Sequence, residues 1–112
     1  MAVLEAKEKI HNAMIKLEGI SSGKHRYGGT EYKLGKREIG HIHGNYLVDI
    51  PFPTQIRNEL IDKGEAEPHH IIPESGWVSF YIKNEIDVDK VIKLLKRSFD
   101  IATEHGLRAK TK

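Results

Sequence analysis

The stretch TEYKLGKREIGHIHGNYLVDIPFP, residues 30–53, constrains the fold more than any other part of the chain. Short β-prone runs alternate with Gly35-Lys36 and Gly44-Asn45, each a two-residue turn with glycine first. That punctuation predicts strands at 30–34, 37–43 and 46–50. Two-residue turns join antiparallel neighbours, so the three strands form one antiparallel unit. Pro51 and Pro53 end it, because proline cannot donate to a central ladder.

Helical periodicity brackets these strands. Val3, Ala6, Ile10, Ala13, Met14 and Leu17 recur at helical spacing before Gly19, predicting a helix over about 2–18. Ile56, Leu60 and Ile61 make a second stripe, with Pro53 suited to a first helical position and Gly64 to the stop. Val88, Val91, Ile92, Leu95, Phe99 and Ala102 make a third, capped by Asp87 and ending at Gly106, with 107–112 frayed. EPHHII and WVSFYI, separated by residues 73–76, predict a second hairpin. The glycine- and serine-rich segment 19–29 reads as a loop. Its GISSGK is one residue short of a phosphate loop, and His25 stands where a Ser or Thr should follow Lys24.

The resulting order, αβββαββα, implies an α+β fold in two layers: an antiparallel sheet of about five strands with helices on one face. Ile39, Val48, Ile50, Val78, Phe80, Val91 and Leu95 are expected in one core. A length of 112 residues suits one domain. It falls far short of the roughly 250 residues of an eight-stranded βα barrel. No flavin or nicotinamide fingerprint is present. The absence of cysteine excludes disulfides, thiolate metal sites and a cysteine nucleophile. The first residues lack the apolar core of a signal peptide, and no run approaches the roughly 20 apolar residues that span a bilayer. A cytoplasmic location and no membrane partner are expected.

The candidate chemistry centres on histidine. With the turn at Gly44-Asn45, His43 faces Tyr46, His41 faces Val48 and Ile39 faces Ile50. This register puts His41 and His43 on the apolar, helix-covered side of the sheet. Glu31, Lys33, Glu38, Gly40, Ile42, Leu47 and Asp49 fall on the more polar side. In the second hairpin, His69 shares the apolar face with Val78, Phe80 and Ile82, whereas His70 lies opposite with Trp77, Ser79 and Tyr81. His41, His43 and His69 are therefore the candidate metal ligands, suited to zinc, nickel, copper or non-haem iron. The plainer alternative is a set of core-edge histidines satisfied by hydrogen bonds. Glu31 and Asp49 flank Gly40 and could work as an acid/base pair, but such a row is more often solvated charge. Trp77 is a stacking platform or, more simply, a pocket wall. Lys90, Lys93, Lys96 and Arg97 line the last helix, diluted by Asp87, Asp89 and Asp100, as a solvated face would be.

Several segments, KHRYGGTEYKLGKREIGHIHGNYLVDIPFP, GEAEPHH, PESGWVSFYI and LLKRSFDIA, resemble a family of small domains named luciferase family or luciferase-domain proteins. The resemblance spans about residues 24–102. It runs through His25, Arg26, Tyr27, Gly28 and Gly29, then Gly40, His41, His43, Gly44, Asp49 and Pro51, then Pro68, His69, His70, Ser75, Gly76 and Trp77. It implies that His25, His41, His43, His69 and His70 fall inside the family's pattern and His11 and His105 outside it; His25, Arg26, His41, His43, His69, His70, Ser75 and Trp77 are the pocket candidates. A looser similarity to MmcQ/YjbR-like domains implies a comparable α+β wing arrangement and some DNA contact.

Three function classes fit these readings. The first is a small-molecule- or metal-binding domain, enzymatic or not, with a histidine-lined pocket between sheet and helices and a divalent transition metal as its candidate cofactor. The second is an interaction module, such as a homodimer, whose histidines serve only the fold. The third is a nucleic-acid-binding wing using Lys24, Arg26 and the last helix. A net charge of +2 ranks it last.

Overall fold

The computed structural model describes residues 5–25 and 28–111, the side chains of 105–111 excepted. Its elements run α1 (Ala6–Ile15), β1 (Ile20–Lys24), β2 (Thr30–Leu34), β3 (Arg37–His43), β4 (Leu47–Pro51), α2 (Thr54–Asp62), β5 (Glu67–Pro68), β6 (Trp77–Tyr81) and α3 (Glu85–Thr111). The strands make one sheet in the order β1-β2-β3-β4-β6-β5, antiparallel at every pairing. The fold is α+β, with the predicted order of elements and one strand more. That strand, β1, lies in the segment read as a loop, and its ISSGK is extended backbone paired with β2, not a phosphate loop.

One face of the sheet carries the core. Ile42, Val48, Ile50, Val78 and Phe80 pack there against Val88, Val91 and Leu95 of α3 and Ile10 and Met14 of α1. All seven expected core residues are buried in this cluster. Ser98 of α3 donates its hydroxyl to the Ile39 carbonyl at 2.9 Å and so satisfies a buried acceptor on β3.

The helix ends differ from expectation for local reasons. α1 is shorter than read, with residues 1–4 outside the described part. Its N-terminal turn is capped from a distance, Lys7 N–H donating to Asn45 Oδ1 at 2.8 Å. Pro53 precedes α2 rather than opening it, and Gly64, at φ +72°, turns the chain out of it. α3 begins earlier than Asp87. Asn84 Oδ1 accepts the Asp87 N–H at 3.0 Å, and Asp87 Oδ2 accepts the Lys83 N–H at 2.9 Å, a reciprocal cap that places Asp87 inside the first turn. The helix also continues past Gly106, since an interior glycine costs only about 1 kcal/mol.

Two departures in register decide where the histidines go. The Gly35-Lys36 turn is as read, pairing Leu34 with Arg37, but β3 then bulges. Lys33 pairs with Glu38 and Tyr32 with Gly40, leaving Ile39 as the extra residue. The second turn has three residues, not two, because Asn45 is drawn off to cap α1. His43 pairs with Leu47, Ile42 with Val48 and His41 with Asp49. A one-residue slip exchanges the faces of a strand. Here it moves His41 and His43 off the helix-covered side and seats Ile42 there, fully buried.

Candidate metal centre

The histidines therefore gather on the sheet face opposite the helices, not in a pocket between sheet and helices. His41 and His43 project from β3 and Asp49 from β4, and β6 sets Ser79 beside Asp49 in register. The strand Leu47-Val48-Asp49-Ile50-Pro51 is apolar at both parities apart from this aspartate, and Asp49 is 0% exposed.

Two histidines arrive from the loop that follows β5. That strand is only two residues long, so the expected run of EPHHII ends at Pro68, and residues 69–76 fold over the sheet instead. The loop is tied down by Phe52 N–H to the Gly76 carbonyl at 3.0 Å, by Ser75 Oγ to the Ile72 carbonyl at 2.7 Å and by the Arg57 guanidinium to the Pro73 carbonyl. Both His69 and His70 reach Asp49, although the sequence placed them on opposite faces.

The geometry converges on one atom. Asp49 Oδ2 lies 3.0 Å from His41 Nε2, 3.1 Å from His43 Nε2, 3.0 Å from His70 Nε2 and 3.5 Å from His69 Nε2. Its other oxygen accepts the Ser79 hydroxyl at 2.7 Å, and the Ser79 oxygen in turn accepts the His70 N–H at 3.2 Å. Burial by itself would raise the Asp49 pKa. The hydrogen bonds from His41, Ser79 and His70 outweigh it and hold the carboxyl well below the usual carboxylate range.

The four rings are not equivalent. His41 Nδ1 bonds Glu38 Oε2 at 2.5 Å, so the ring lies between two carboxylates. Burial would lower its pKa, but the bonds to Asp49 and Glu38 prevail and raise it to about 9. Only the bulge makes this possible, since residues three apart on a regular strand face opposite ways. His69 Nδ1 accepts two backbone N–H groups, from Ile71 and Ile72, each at 3.1 Å. In the neutral ring the proton then sits on Nε2, which points at Asp49 as a donor. Burial lowers the His69 pKa and favours that neutral form.

Around this centre, Trp77 stands 5.3 Å from His41 and 6.1 Å from His69, ring centre to ring centre, as a wall. His25 stacks on His41 with ring centres 4.1 Å apart, and its Nε2 is 3.9 Å from Glu38 Oε1. Burial first, and then the charge of His41, lower the His25 pKa. The loop bearing His25 approaches β3 closely: a Cβ on Gly29, at φ +83°, would lie 2.3 Å from the Ile42 carbonyl oxygen. Of the other expected pocket residues, Ser75 serves the 69–76 turn, its hydroxyl donating to the Ile72 carbonyl and accepting the Trp77 N–H. Arg26 lies outside the described residues. His11 is apart, its Nδ1 hydrogen-bonded with the Tyr32 hydroxyl at 2.9 Å. Glu31 does not pair with Asp49 across Gly40 but holds Lys33 Nζ at 2.9 Å.

Three overlapping groups have the donor types and spacing to hold a cation: His25, Glu38 and His41; His41, His43 and Asp49; Asp49, His69 and His70. The profile of a protein family described as Luciferase domain matches residues 36–98, which is 63 of the 112 residues and contains Glu38, His41, His43, Asp49, His69 and His70. The chain belongs to the luciferase-domain family. Within this luciferase domain the matched segment runs from the start of β3 into α3, so it holds every residue around Asp49 and leaves His25 outside. No curated protein and no solved structure matches the chain. No helix among the described residues is long and apolar enough to cross a membrane.

Proposed function

We propose that this luciferase domain binds a first-row divalent transition metal through His41, His43, His70 and Asp49. The observation that carries this reading is the approach of three imidazole Nε2 atoms to within 3.0–3.1 Å of one fully buried carboxylate oxygen. A fourth, His69, already aims its N–H at the same oxygen. One carboxylate oxygen has two lone pairs, too few for four donors, and a deprotonated Nε2 facing it would set lone pair against lone pair. A cation is the one group to which three imidazole lone pairs and a carboxylate can all point. With metal–ligand bonds of about 2.0–2.2 Å, neighbouring ligand atoms sit roughly 3.0–3.4 Å apart, and each of the three Nε2 atoms stands 3.0–3.1 Å from Asp49 Oδ2.

The remaining residues fit supporting parts. Glu38 on His41 Nδ1 would fix that ring's tautomer and orientation, as carboxylates commonly do for metal-bound histidines. His69, its Nδ1 occupied by backbone, is the donor to Asp49 and not a ligand, which narrows the set read from the sequence and replaces His69 with His70. The His43 and His70 side chains are 20% and 29% exposed, so a small molecule can reach the centre from their side.

The test is metal analysis of protein purified without an affinity tag, followed by melting scans with zinc, nickel, copper, manganese and, anaerobically, ferrous iron. At a hundredfold excess over the dissociation constant, linkage gives about 2.7 kcal/mol. For a domain of this size that is a rise of roughly 10 °C in Tm. His43→Ala and His70→Ala should abolish the rise and His11→Ala should keep it. Failure of every metal to shift the wild type overturns the reading.

A further inference from the structure

We propose a second ligand site, distinct from the metal centre and built between β6 and the helices: the trough between the end of α2 and α3 takes a small organic anion with an apolar body. The trough is a cavity of about 600 Å³, within the range of small-molecule sites. Ala66, Phe80 and Leu94 form its floor, each less than a tenth exposed. Lys63 from the end of α2, Lys83 from the segment after β6, and Lys90 and Lys93, three residues apart on α3, stand around it.

Two observations make this more than a solvated helix face. Lys9 and Lys33 are each held by a glutamate, but among the described residues none of the four trough lysines has a carboxylate within ion-pair distance. They also come from three separate parts of the chain to meet over one apolar floor. Three acids line the trough as well, and their placement sets the polarity. Asp87 is a single negative charge on the α3 side against three lysines, its carboxylate accepting the Lys83 backbone N–H, while Glu65 and Glu67 lie on the β5 side. The positive charge is thus concentrated on the α3 side, at Lys83, Lys90 and Lys93. An inorganic anion would leave the floor uncovered, and an uncharged apolar molecule would leave the lysines unmatched. A carboxylate or phosphate on an aliphatic or aromatic body satisfies both.

Octanoate is a suitable probe. Titrated into isotope-labelled, metal-free protein, it should give saturable shifts in the NMR signals of Ala66, Phe80 and Leu94. Octanol and inorganic phosphate should each bind at least about tenfold more weakly. The pair Lys90→Glu and Lys93→Glu, both at exposed positions, should weaken octanoate by about tenfold or more, with the rest of the spectrum retained. If that reversal disturbs folding, Lys90→Gln with Lys93→Gln should weaken it in the same direction. The absence of saturable shifts, octanol matching octanoate, or undiminished binding by a folded lysine variant would overturn the proposal. None of these readouts depends on metal, so failure here leaves the centre around Asp49 untouched, and the converse holds too.

Discussion

At the scale of single residues, the site is a problem of charge burial that Asp49 and His41 solve together. A buried carboxylate is costly unless paired, and this one is met by hydroxyl and imidazole donors on every side. In chelated, metal-free protein the pairing has a definite pH signature. The His41 pKa is raised from its ordinary 6.5 to about 9 in the fold. Its contribution to stability is complete below about pH 6.5 and is lost as pH rises through 9. Asp49 works the other way: its lowered pKa gives stability that is present above the ordinary carboxylate range and lost as pH falls. His25 and His69, with lowered values, also lose stability as pH falls below 6.5. Only His41 among these loses stability on the alkaline side. Urea unfolding at pH 6.5 and pH 9.5 should therefore show a drop for the wild type that shrinks clearly in Glu38→Gln, which lacks the second carboxylate. An equal drop in both proteins would show that Glu38 does not hold the His41 proton. Much of this site was legible in the sequence: His25, His41, His43, His69, His70 and Trp77 all stand at the cluster. Asp49 was set aside as a solvated charge, yet its strand is apolar at both parities, so it is buried in either register. That was the available signal. Glu38 offered none, because its approach to His41 depends on a bulge.

At the scale of elements, β3 is where local sequence and tertiary packing part company. Turn chemistry located both turns and gave the first its correct pairing, and the core residues of β4, β6 and α3 followed from periodicity alone. Faces were lost because a three-residue loop and a one-residue bulge are invisible to a pattern of period two. Both have tertiary causes, Asn45 serving α1 and Ile39 held in the core with its carbonyl bonded by Ser98. Gly40, next to the bulge, is where the sheet and α3 come closest. A Cβ there would lie 2.6 Å from Leu95 Cδ2 and 3.1 Å from the Asp49 carbonyl oxygen. Gly40→Ala should cost about 1–3 kcal/mol by overpacking. Leu95→Ala, a change at a fully buried position, should cost about 2–5 kcal/mol by leaving a cavity. Since the second change removes the atom the first collides with, the double variant should lose measurably less than the sum of the two. Strict additivity in chemical denaturation would mean that Gly40 does not face Leu95, and with it the bulged register would fall.

At the scale of the whole molecule, charge decides whether nucleic acid belongs among the partners. Eighteen basic against sixteen acidic residues leave a net charge of only +2. Positive charge on α3 is interrupted along the helix: Lys90, Lys93, Lys96 and Arg97 share it with Glu85, Asp87, Asp89 and Asp100. Elsewhere Lys9 is neutralised by Glu85 at 3.0 Å and Lys33 by Glu31 at 2.9 Å. Lys24, at the end of β1, is separated from that helix by the width of the sheet's first strands. Affinity for DNA rises with the number of phosphates neutralised at once, and sequence selectivity needs side chains that reach base edges from a groove-sized element. This distribution favours weak, sequence-independent contact. Duplex DNA should therefore bind with a dissociation constant of roughly 10⁻⁴–10⁻⁶ M at physiological salt, alike for unrelated sequences, and weaken further as salt is raised. Fluorescence anisotropy on two unrelated duplexes at two salt concentrations measures all three properties. Nanomolar binding that distinguishes the duplexes at physiological salt would move the functional surface from the Asp49 cluster to α3.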